Sequence, residues 1–406
     1  MKKMKCVILA AGAGTRMFPL TSDRPKPMLW VAGKTLIEHL FDRVCRSGID
    51  HVFLVVPSAS ARIKEYFDSR RSQVKLTFVE QKNPYGTGDA LMQCADYIND
   101  RFLCMNGDIL VSERDIRGLL TCSDQGEVIA GYQSTHPGEY GVIVSSEGRL
   151  DHILEKPGSE VQNGLINAGI YVFDPDIFDA LKKIERSPRG EYELTDALRS
   201  RRMDIYQIKD YWTDIGYPWD MLTANEIFLR EMGRSRILGE VSKDATIRGP
   251  IWVGKGSEIL PGTYIEGPVL IGEDCRVGPN AYIRPSTSIG DHCHIGASTE
   301  VKNSIIMHHS NAPHINYVGD SIIGENCNLG AGTKIANLRF DEQTISVVVK
   351  GKRVNTNRRK LGAIIGHNVK IGINASLSVG SIIGSDSYIG IGAVVSGTVQ
   401  QNSRIY

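Results

Sequence analysis

A six-residue rhythm in the second half of the chain limits the fold more than any other feature. From Val241 onward every sixth residue is Val or Ile: Ile247, Val253, Ile259, Ile265, Ile271, Val277, Ile283, Ile289, Ile295 and Val301. The phase breaks around Ala312 to Tyr317, resumes at Ile323, Leu329 and Ile335, and breaks again. It returns at Ile365, Ile371, Leu377, Ile383, Ile389 and Val395. A helix repeats every ~3.6 residues and a half-buried strand every second residue, so neither fits. Three short strands and three tight corners per coil do fit, stacked as a parallel β-helix. The fourth residue after each anchor is compact, as at Ala245, Ser257, Thr263, Cys275, Ala281, Thr287, Cys293, Thr299 and Cys327. A narrow interior requires that, and it makes three of the cysteines wall-fillers rather than nucleophiles or metal ligands.

The first half alternates differently. Lys5–Leu9, Val52–Val56, Leu76–Val79, Arg101–Met105 and Val128–Tyr132 are apolar strand candidates, with helical stretches at Leu36–Ser47 and Ala90–Tyr97 between them. That is the pattern of an α/β sheet. Pro218–Met232 reads as a closing helix. With 406 residues the chain exceeds one core, so two domains are expected, 1–232 and 233–406, with the boundary near Gly233–Gly239. A formal net charge of +1 offers no general attraction to nucleic acid and points to a small-molecule partner. No apolar run is long enough for a bilayer, and the Cys6–Ala11 stretch after Met1-Lys2-Lys3 is too short for a secretory leader. No membrane association and a cytoplasmic location are therefore expected. The cysteines form no Cys-x-x-Cys pair, which suits a reducing compartment.

After the first strand comes Leu9-Ala10-Ala11-Gly12-Ala13-Gly14-Thr15-Arg16-Met17. Glycines let backbone approach phosphate oxygens, and the arginine adds charge. The third glycine of a dinucleotide fingerprint is missing. Gly33-Lys34-Thr35 ends like a Walker A loop, but Met28 occupies the leading glycine position, so it reads as a turn before a helix. Gly12–Met17 followed by Arg24-Pro25-Lys26-Pro27-Met28 resembles the signature of nucleoside-diphosphate-sugar pyrophosphorylases, and the likeness covers essentially the whole first half. It implies a Rossmann-like nucleotidyltransferase domain. In it Gly12, Gly14, Thr15 and Arg16 hold a triphosphate and Lys26 neutralises the reacting phosphates. Gln81 faces the base beside Gly86-Thr87-Gly88. Asp108, in Asn106-Gly107-Asp108, and Asp214, in Trp212-Thr213-Asp214, supply the carboxylates for Mg²⁺. Tyr140-Gly141, Glu155-Lys156 and Asn167-Ala168-Gly169 match the sugar-phosphate pocket. The chemistry suits these residue types, because a sugar phosphate is already a dianion and attack is limited by anion meeting anion. Mg²⁺ takes oxygen ligands and keeps several waters, so two carboxylates suffice.

The hexapeptide units resemble the left-handed β-helix family, whose hand and frequent trimeric assembly are implied by that likeness alone. His314-Ile315-Asn316-Tyr317-Val318-Gly319-Asp320 resembles the catalytic loop of bacterial glucosamine-1-phosphate acetyltransferases. By that likeness His314 is the general base toward a sugar amine, Arg284 and Lys302 bind the sugar phosphate, and Tyr317, Asn328 and Asn337 orient the amine for acetyl-CoA. An imidazole titrates close enough to neutrality for that task. The chain departs from the pattern at Gln343 and Ser346, where the bacterial enzymes carry lysine. Lys350, Lys352 and Arg358-Arg359-Lys360 lie further on, either meeting the phosphates of CoA or forming a solvated loop.

Together the resemblances imply a bifunctional enzyme, a homotrimer or dimer of trimers, that acetylates glucosamine-1-phosphate and joins the product to a nucleotide, giving UDP-N-acetylglucosamine. The alternative is a glucose-1-phosphate uridylyl- or thymidylyltransferase whose coil is structural or oligomerising. A third reading, as a scaffold like subunits of the eukaryotic initiation-factor exchange complex, is opposed by the presence of Arg16, Lys26, Asp108 and Asp214. UTP and dTTP stay undecided, since Gln81 can bond the shared edge of uracil and thymine.

Overall fold

The computed structural model describes residues 4–12, 14–58, 60–70, 74–158 and 161–406. Ala13 of the glycine-rich loop lies outside them. The chain forms two compact units that do not follow its linear order. One comprises residues 1–13 and 36–214, the other residues 14–35 and 215–406.

The first unit is a nine-stranded mixed sheet. Strands β1 (Met4–Leu9), β2 (Ile49–Pro57), β3 (Lys75–Gln81) and β4 (Phe102–Asn106) run parallel in the order β3-β2-β1-β4. Val7, Ile8, Val52, Phe53, Leu54 and Leu103 are buried. Such near-continuous apolar runs suit strands covered on both faces. Helix α1 (Leu36–Arg46) buries Leu36, Ile37, Leu40, Phe41 and Val44, a helix-spaced stripe. After β4 come β5 (Ile109–Val111), β6 (Val128–Ser134), β7 (Gly141–Ser146), β8 (Arg149–Glu155), β9 (Gly164–Phe173), β10 (Asp204–Gln207) and β11 (Trp212–Asp214). The main sheet continues from β4 as β9-β6-β10-β8-β7, while β5 and β11 pair separately. The five strands read from sequence all form, whereas β5 and β7–β11 carry shorter or mixed patterns. The expected helix at Ala90–Tyr97 instead starts at Thr87, runs to Met92, and breaks before a 3₁₀ turn at Ala95–Tyr97. Gly88 sits in its first turn against propensity. A Cβ there would stand 2.9 Å from the Tyr192 carbonyl oxygen, so packing overrides the local preference.

In the second unit the coil begins at Arg236–Ile237, after helix α2 (Asp220–Glu231). Three parallel sheets receive successive strands in rotation, the arrangement of a left-handed parallel β-helix. The hexad anchors meet in one core, with Ile265, Ile271, Val277, Ile283, Ile289, Ile295 and Val301 fully buried. Each contributes ~1.5–3 kcal/mol of burial. Ser257, Thr263, Cys275, Ala281, Cys293, Thr299 and Cys327 are buried as expected, and several also bridge coils. The Cys275 thiol donates to Gly290 O (3.0 Å), Cys327 to Gly366 O (3.0 Å) and the Thr299 hydroxyl to Ala312 O (3.1 Å). A corner residue in left-handed conformation recurs at Asp274, Asn280, Ser286, His292 and Ser298, and Asp, Asn and His are the types enriched there.

The supposed break at 312–317 needs correction. Ala312 continues the anchor column opposite Ile295, and Val318 lies opposite Val301. The phase slips because the corners at Asn303–Ser304 and Asp320–Ser321 are each one residue short, moving the next anchors to Ile306 and Ile323. The second break is real. Residues between Ile335 and Ile364 leave the coil and fold an antiparallel hairpin, Ser346–Val349 with Lys352–Asn355. The segment 14–35 packs on the coil, and Gly33-Lys34-Thr35 is a turn and strand before α1, as read.

Candidate active sites

In the sheet unit the chemistry gathers past the carboxyl ends of β1 and β4, where open α/β sheets bind ligands. Leu9 and Asn106 are register partners, and Gly107 N–H donates to Leu9 O at 2.8 Å. A Cβ on Gly107 would stand 2.8 Å from that oxygen, so the Asn-Gly-Asp turn needs its glycine. Asp108 then enters β5, which pairs antiparallel with β11 and sets Ile109 opposite Asp214. Two carboxylates far apart in sequence thus flank one end of a short ladder. Asp115 secures it. This buried side chain accepts from Ser112 Oγ (2.7 Å), Tyr206 OH (3.0 Å), Lys209 N–H (2.8 Å) and Asp210 N–H (3.1 Å), fixing the lead into β11. Sequence reading passed over Asp115, although Ser112-x-x-Asp115 is a capping-box signal. Gly12 is exposed and a Cβ there would meet nothing within 4 Å, leaving open space at the end of β1.

Gln81 ends β3 and is buried. Its amide donates to Gly86 O (3.1 Å) and Asp89 Oδ2 (2.7 Å), so its carbonyl oxygen is the group left for a base. Gly86 has φ 101° and approaches Tyr192 closely, while the Thr87 hydroxyl accepts from Leu194 N–H at 3.1 Å. Here the Gly-Thr-Gly run packs against segment 191–194.

The residues expected to form a sugar-phosphate pocket converge. Glu155 opposes Gly141 in the β7–β8 ladder, and Lys156 N–H donates to Tyr140 O (3.1 Å). The Tyr140 ring stands 5.6 Å from Trp212, whose indole N–H donates to Ala168 O (2.9 Å). Asn167 donates to Tyr171 OH (2.7 Å) and accepts from Gly169 N–H (3.0 Å), holding a bulge where Gly169 takes φ 69°.

In the coil unit Gly14, at φ 60°, lies against Lys26: a Cβ there would be 2.7 Å from Lys26 Cβ. Lys26 is buried, Thr15 and Arg16 are exposed, and the Arg16 guanidinium lies 5.1 Å from the Tyr217 ring. Arg24 of the same signature turns to the coil. It makes a two-pronged pair with Glu325, Nη1–Oε1 2.5 Å and Nη2–Oε2 2.8 Å. Burial opposes ionisation of Glu325, but Arg24 outweighs it and holds the carboxyl below its usual range. Buried His367 accepts from Glu325 N–H at Nδ1 (3.0 Å) and meets Leu20 O at Nε2 (3.1 Å), a pattern that requires the neutral ring. Burial, then Arg24, lowers its pKa accordingly.

Arg284, Lys302, Tyr317 and Asn337 share one face of the coil. Tyr282, Glu300, Tyr317 and Lys334 are successive register partners there. Arg284 bonds Glu300 (2.9 Å). Asn337 donates to Asp320 Oδ2 (2.6 Å) and Tyr317 OH (3.3 Å), and Lys302 approaches the same Asp320 oxygen at 3.7 Å. Buried Asp320 also accepts from Asn303 Nδ2 (2.8 Å), which makes it the hub of the cluster. Its place in the quoted loop was the available sign. Burial lowers the Lys302 pKa, Asp320 opposes this, and Lys360 adds to the lowering. His314 ends the Asn311–His314 strand on the next face and is exposed. Ile315 follows at the corner with φ 52° and is also exposed. A β-branched residue in that conformation is a strained position of the kind found beside functional groups. Asn328 lies on the His314 face, paired with Asn311 and Lys370, apart from the Asp320 cluster.

A strand-end carboxylate pair on an α/β sheet, joined to a hexapeptide coil with its own polar cluster, defines a two-site transferase. Comparison with known proteins agrees. The nucleotidyl transferase family matches residues 5–231, and the GMPPB C-terminal domain family matches 265–360. The chain is 43% identical to the bifunctional protein GlmU of Methanococcus maripaludis strain C7, over 99% of this chain and 97% of that one. It is likewise 43% identical to a bifunctional sugar-1-phosphate nucleotidylyltransferase/acetyltransferase of Sulfurisphaera tokodaii, over 97% of each. A UDP-glucose pyrophosphorylase solved with UDP-glucose superposes with TM-score 0.50 at 26% identity, over 56% of this chain and 99% of that one. This chain belongs to the nucleotidyl transferase family, in its bifunctional nucleotidylyltransferase/acetyltransferase branch.

Proposed function

We propose that the chain makes UDP-N-acetylglucosamine in two steps, acetylating glucosamine-1-phosphate on the coil and coupling the product to UTP or dTTP through the sheet unit. For the nucleotidyl half, the pairing that sets Asp214 opposite Ile109 and beside Asp108 carries the reading. Both donors are oxygens, which fits Mg²⁺. Among the described residues no group of three or more His, Cys, Asp or Glu could hold a metal, so further ligands would come from substrate and water. Bound there, Mg²⁺ would spread the charge of the phosphate oxygens. Arg16 and Lys26 serve as the phosphate cations, with Gly12, Gly14, Thr15, Gly86 and Thr87 shaping the nucleotide loops. The Gln81 carbonyl accepts a ring N–H, which uracil and thymine share and adenine and cytosine lack. Tyr140, Gly141, Glu155, Lys156, Asn167 and Gly169 enclose the sugar phosphate.

For the acetyl half the Asp320 cluster carries the reading. With both Asn337 amide hydrogens committed, its oxygen is left to accept from the sugar amine, and Tyr317 keeps its own proton to donate. Arg284 and Lys302 take the phosphate. His314 removes the amine proton as nitrogen attacks the thioester carbon, the C–N bond forms, the C–S bond breaks and CoA leaves as thiol. Asn328 assists from the His314 face.

We further assign a cytoplasmic homotrimer or dimer of trimers. All eight cysteines are free thiols, which suits a reducing compartment. No helix among the described residues is long and apolar enough to cross a membrane. Exposed Ile373, Tyr388, Ile391 and Val394 on the last coils offer apolar surface for self-association. A product panel tests the whole reading: several sugar phosphates with UTP, dTTP, acetyl-CoA and Mg²⁺, read by mass spectrometry, with light scattering for assembly. Sugar-nucleotide formation without any CoA thiol would reduce the coil to a structural module.

A further inference from the structure

The hairpin that leaves the coil closes with two residues, Lys350 (φ 50°) and Gly351 (φ 75°), between paired Val349 and Lys352. Two successive left-handed residues make the tight turn whose twist matches its strands. The root is firm. Ile345 N–H donates to Arg358 O (2.9 Å), Thr356 N–H donates to Ile345 O (2.9 Å), and Ile345 and Val347 are buried. Arg358 ties the root to α2 through Thr223 Oγ1 (3.0 Å) and Glu226 Oε1 (3.3 Å). At the tip, Lys350 Nζ donates to Thr15 Oγ1 at 2.5 Å. Both residues are exposed, and Thr15 stands between Gly14 and Arg16 in the glycine-rich loop.

Among the described residues no carboxylate pairs with Lys350. An ammonium has three donors, and a neutral hydroxyl takes only one. A stiff arm therefore holds a cation with spare donors beside Arg16, in a loop built to approach phosphate. We propose that Lys350 is a phosphate-binding residue of the nucleotidyl-transfer reaction, joining Arg16 on the oxygens of the triphosphate and of the pyrophosphate released. This answers the choice between CoA contact and solvated loop with a third role. It rests on the nucleotidyl-transfer reading above. A chain ending at residue 232 would lack this cation.

The test uses the full chain, Lys350→Met, which keeps length and removes charge, and Lys350→Arg. Competitors are inorganic pyrophosphate and the free nucleoside of the triphosphate that the wild type uses. Loss of one charge-assisted contact should raise KM for the triphosphate about tenfold in Lys350→Met. Inhibition by pyrophosphate should weaken similarly, inhibition by the nucleoside should stay unchanged, and Lys350→Arg should recover most of the loss. The KM for acetyl-CoA should not move. Three results would overturn the proposal: unchanged triphosphate KM, equal weakening of nucleoside and pyrophosphate (a loop merely propped), or a raised acetyl-CoA KM. A wild type that releases no pyrophosphate with any triphosphate would instead remove the underlying reading, before any variant is compared.

Discussion

The two units bring polar groups together in opposite ways. In the sheet, Asp108 sits on a turn past a strand end, and its partner carboxylate arrives from a remote stretch. Asp108 and Asp214 become neighbours only through the β5–β11 register. In the coil, neighbours lie one coil apart, so Tyr282, Glu300, Tyr317 and Lys334 stack on one face in steps that can be counted along the chain. The contrast teaches that periodic stacking lets strand register be counted along the chain, whereas a strand-end pair depends on long-range pairing.

Reciprocal loss would show that the two sites are independent. Asp108→Ala should cut pyrophosphate release about a thousandfold, the scale of removing a group that stabilises transition-state charge, while acetylation stays within about twofold, since the coil cluster contains no part of that ladder. His314→Ala should lower CoA release by about 10²–10⁴, the range for losing a general base, and spare nucleotidyl transfer. One substitution silencing both reactions would break the comparison.

The segment that carries Arg16 and Lys26 belongs to the coil unit, and the Arg24–Glu325 pair docks it there. Arg24→Ala leaves Glu325 largely buried without its partner, and denaturant unfolding should record a loss of about 3 kcal/mol. Nucleotidyl transfer should fall more than acetylation. Equal losses would mean that the pair only supports the coil.

Gly169→Ala probes the sugar pocket. A Cβ would stand 2.4 Å from Asn106 Nδ2, and φ 69° costs an L-residue about 1–2 kcal/mol. The KM for the sugar phosphate should rise with little change in that for acetyl-CoA, as steady-state kinetics can check.

The smallest effect concerns pH. Burial lowers the folded-state pKa of His367 below its unfolded value, so the unfolded chain binds the extra proton first on acidification. Stability is then complete above about pH 6.5 and declines as pH falls through the unfolded value. Melting temperatures from pH 7.5 to 5.5 should drop less steeply in His367→Phe than in the wild type. Parallel slopes would show that this histidine does not govern the response.

The hexad alone determined the coil, because each anchor must face a narrow interior and the fourth residue after it has room only for a compact side chain, constraints met within a few residues. The Asn-Gly-Asp turn was readable too, since the close approach of Gly107 to the Leu9 carbonyl leaves a local mark. Tertiary structure alone decided that Arg24 pairs with Glu325, that Asp115 braces β11, that Asp320 gathers Asn303, Asn337 and Lys302, and that Lys350 reaches Thr15. The phase slip at 312–317 was misplaced because one-residue-short corners look like a lost anchor until the strands are paired. Such contacts join residues with no shared period, and a lysine or carboxylate reads the same in sequence whether it meets water or a partner. Chain geometry chooses between them.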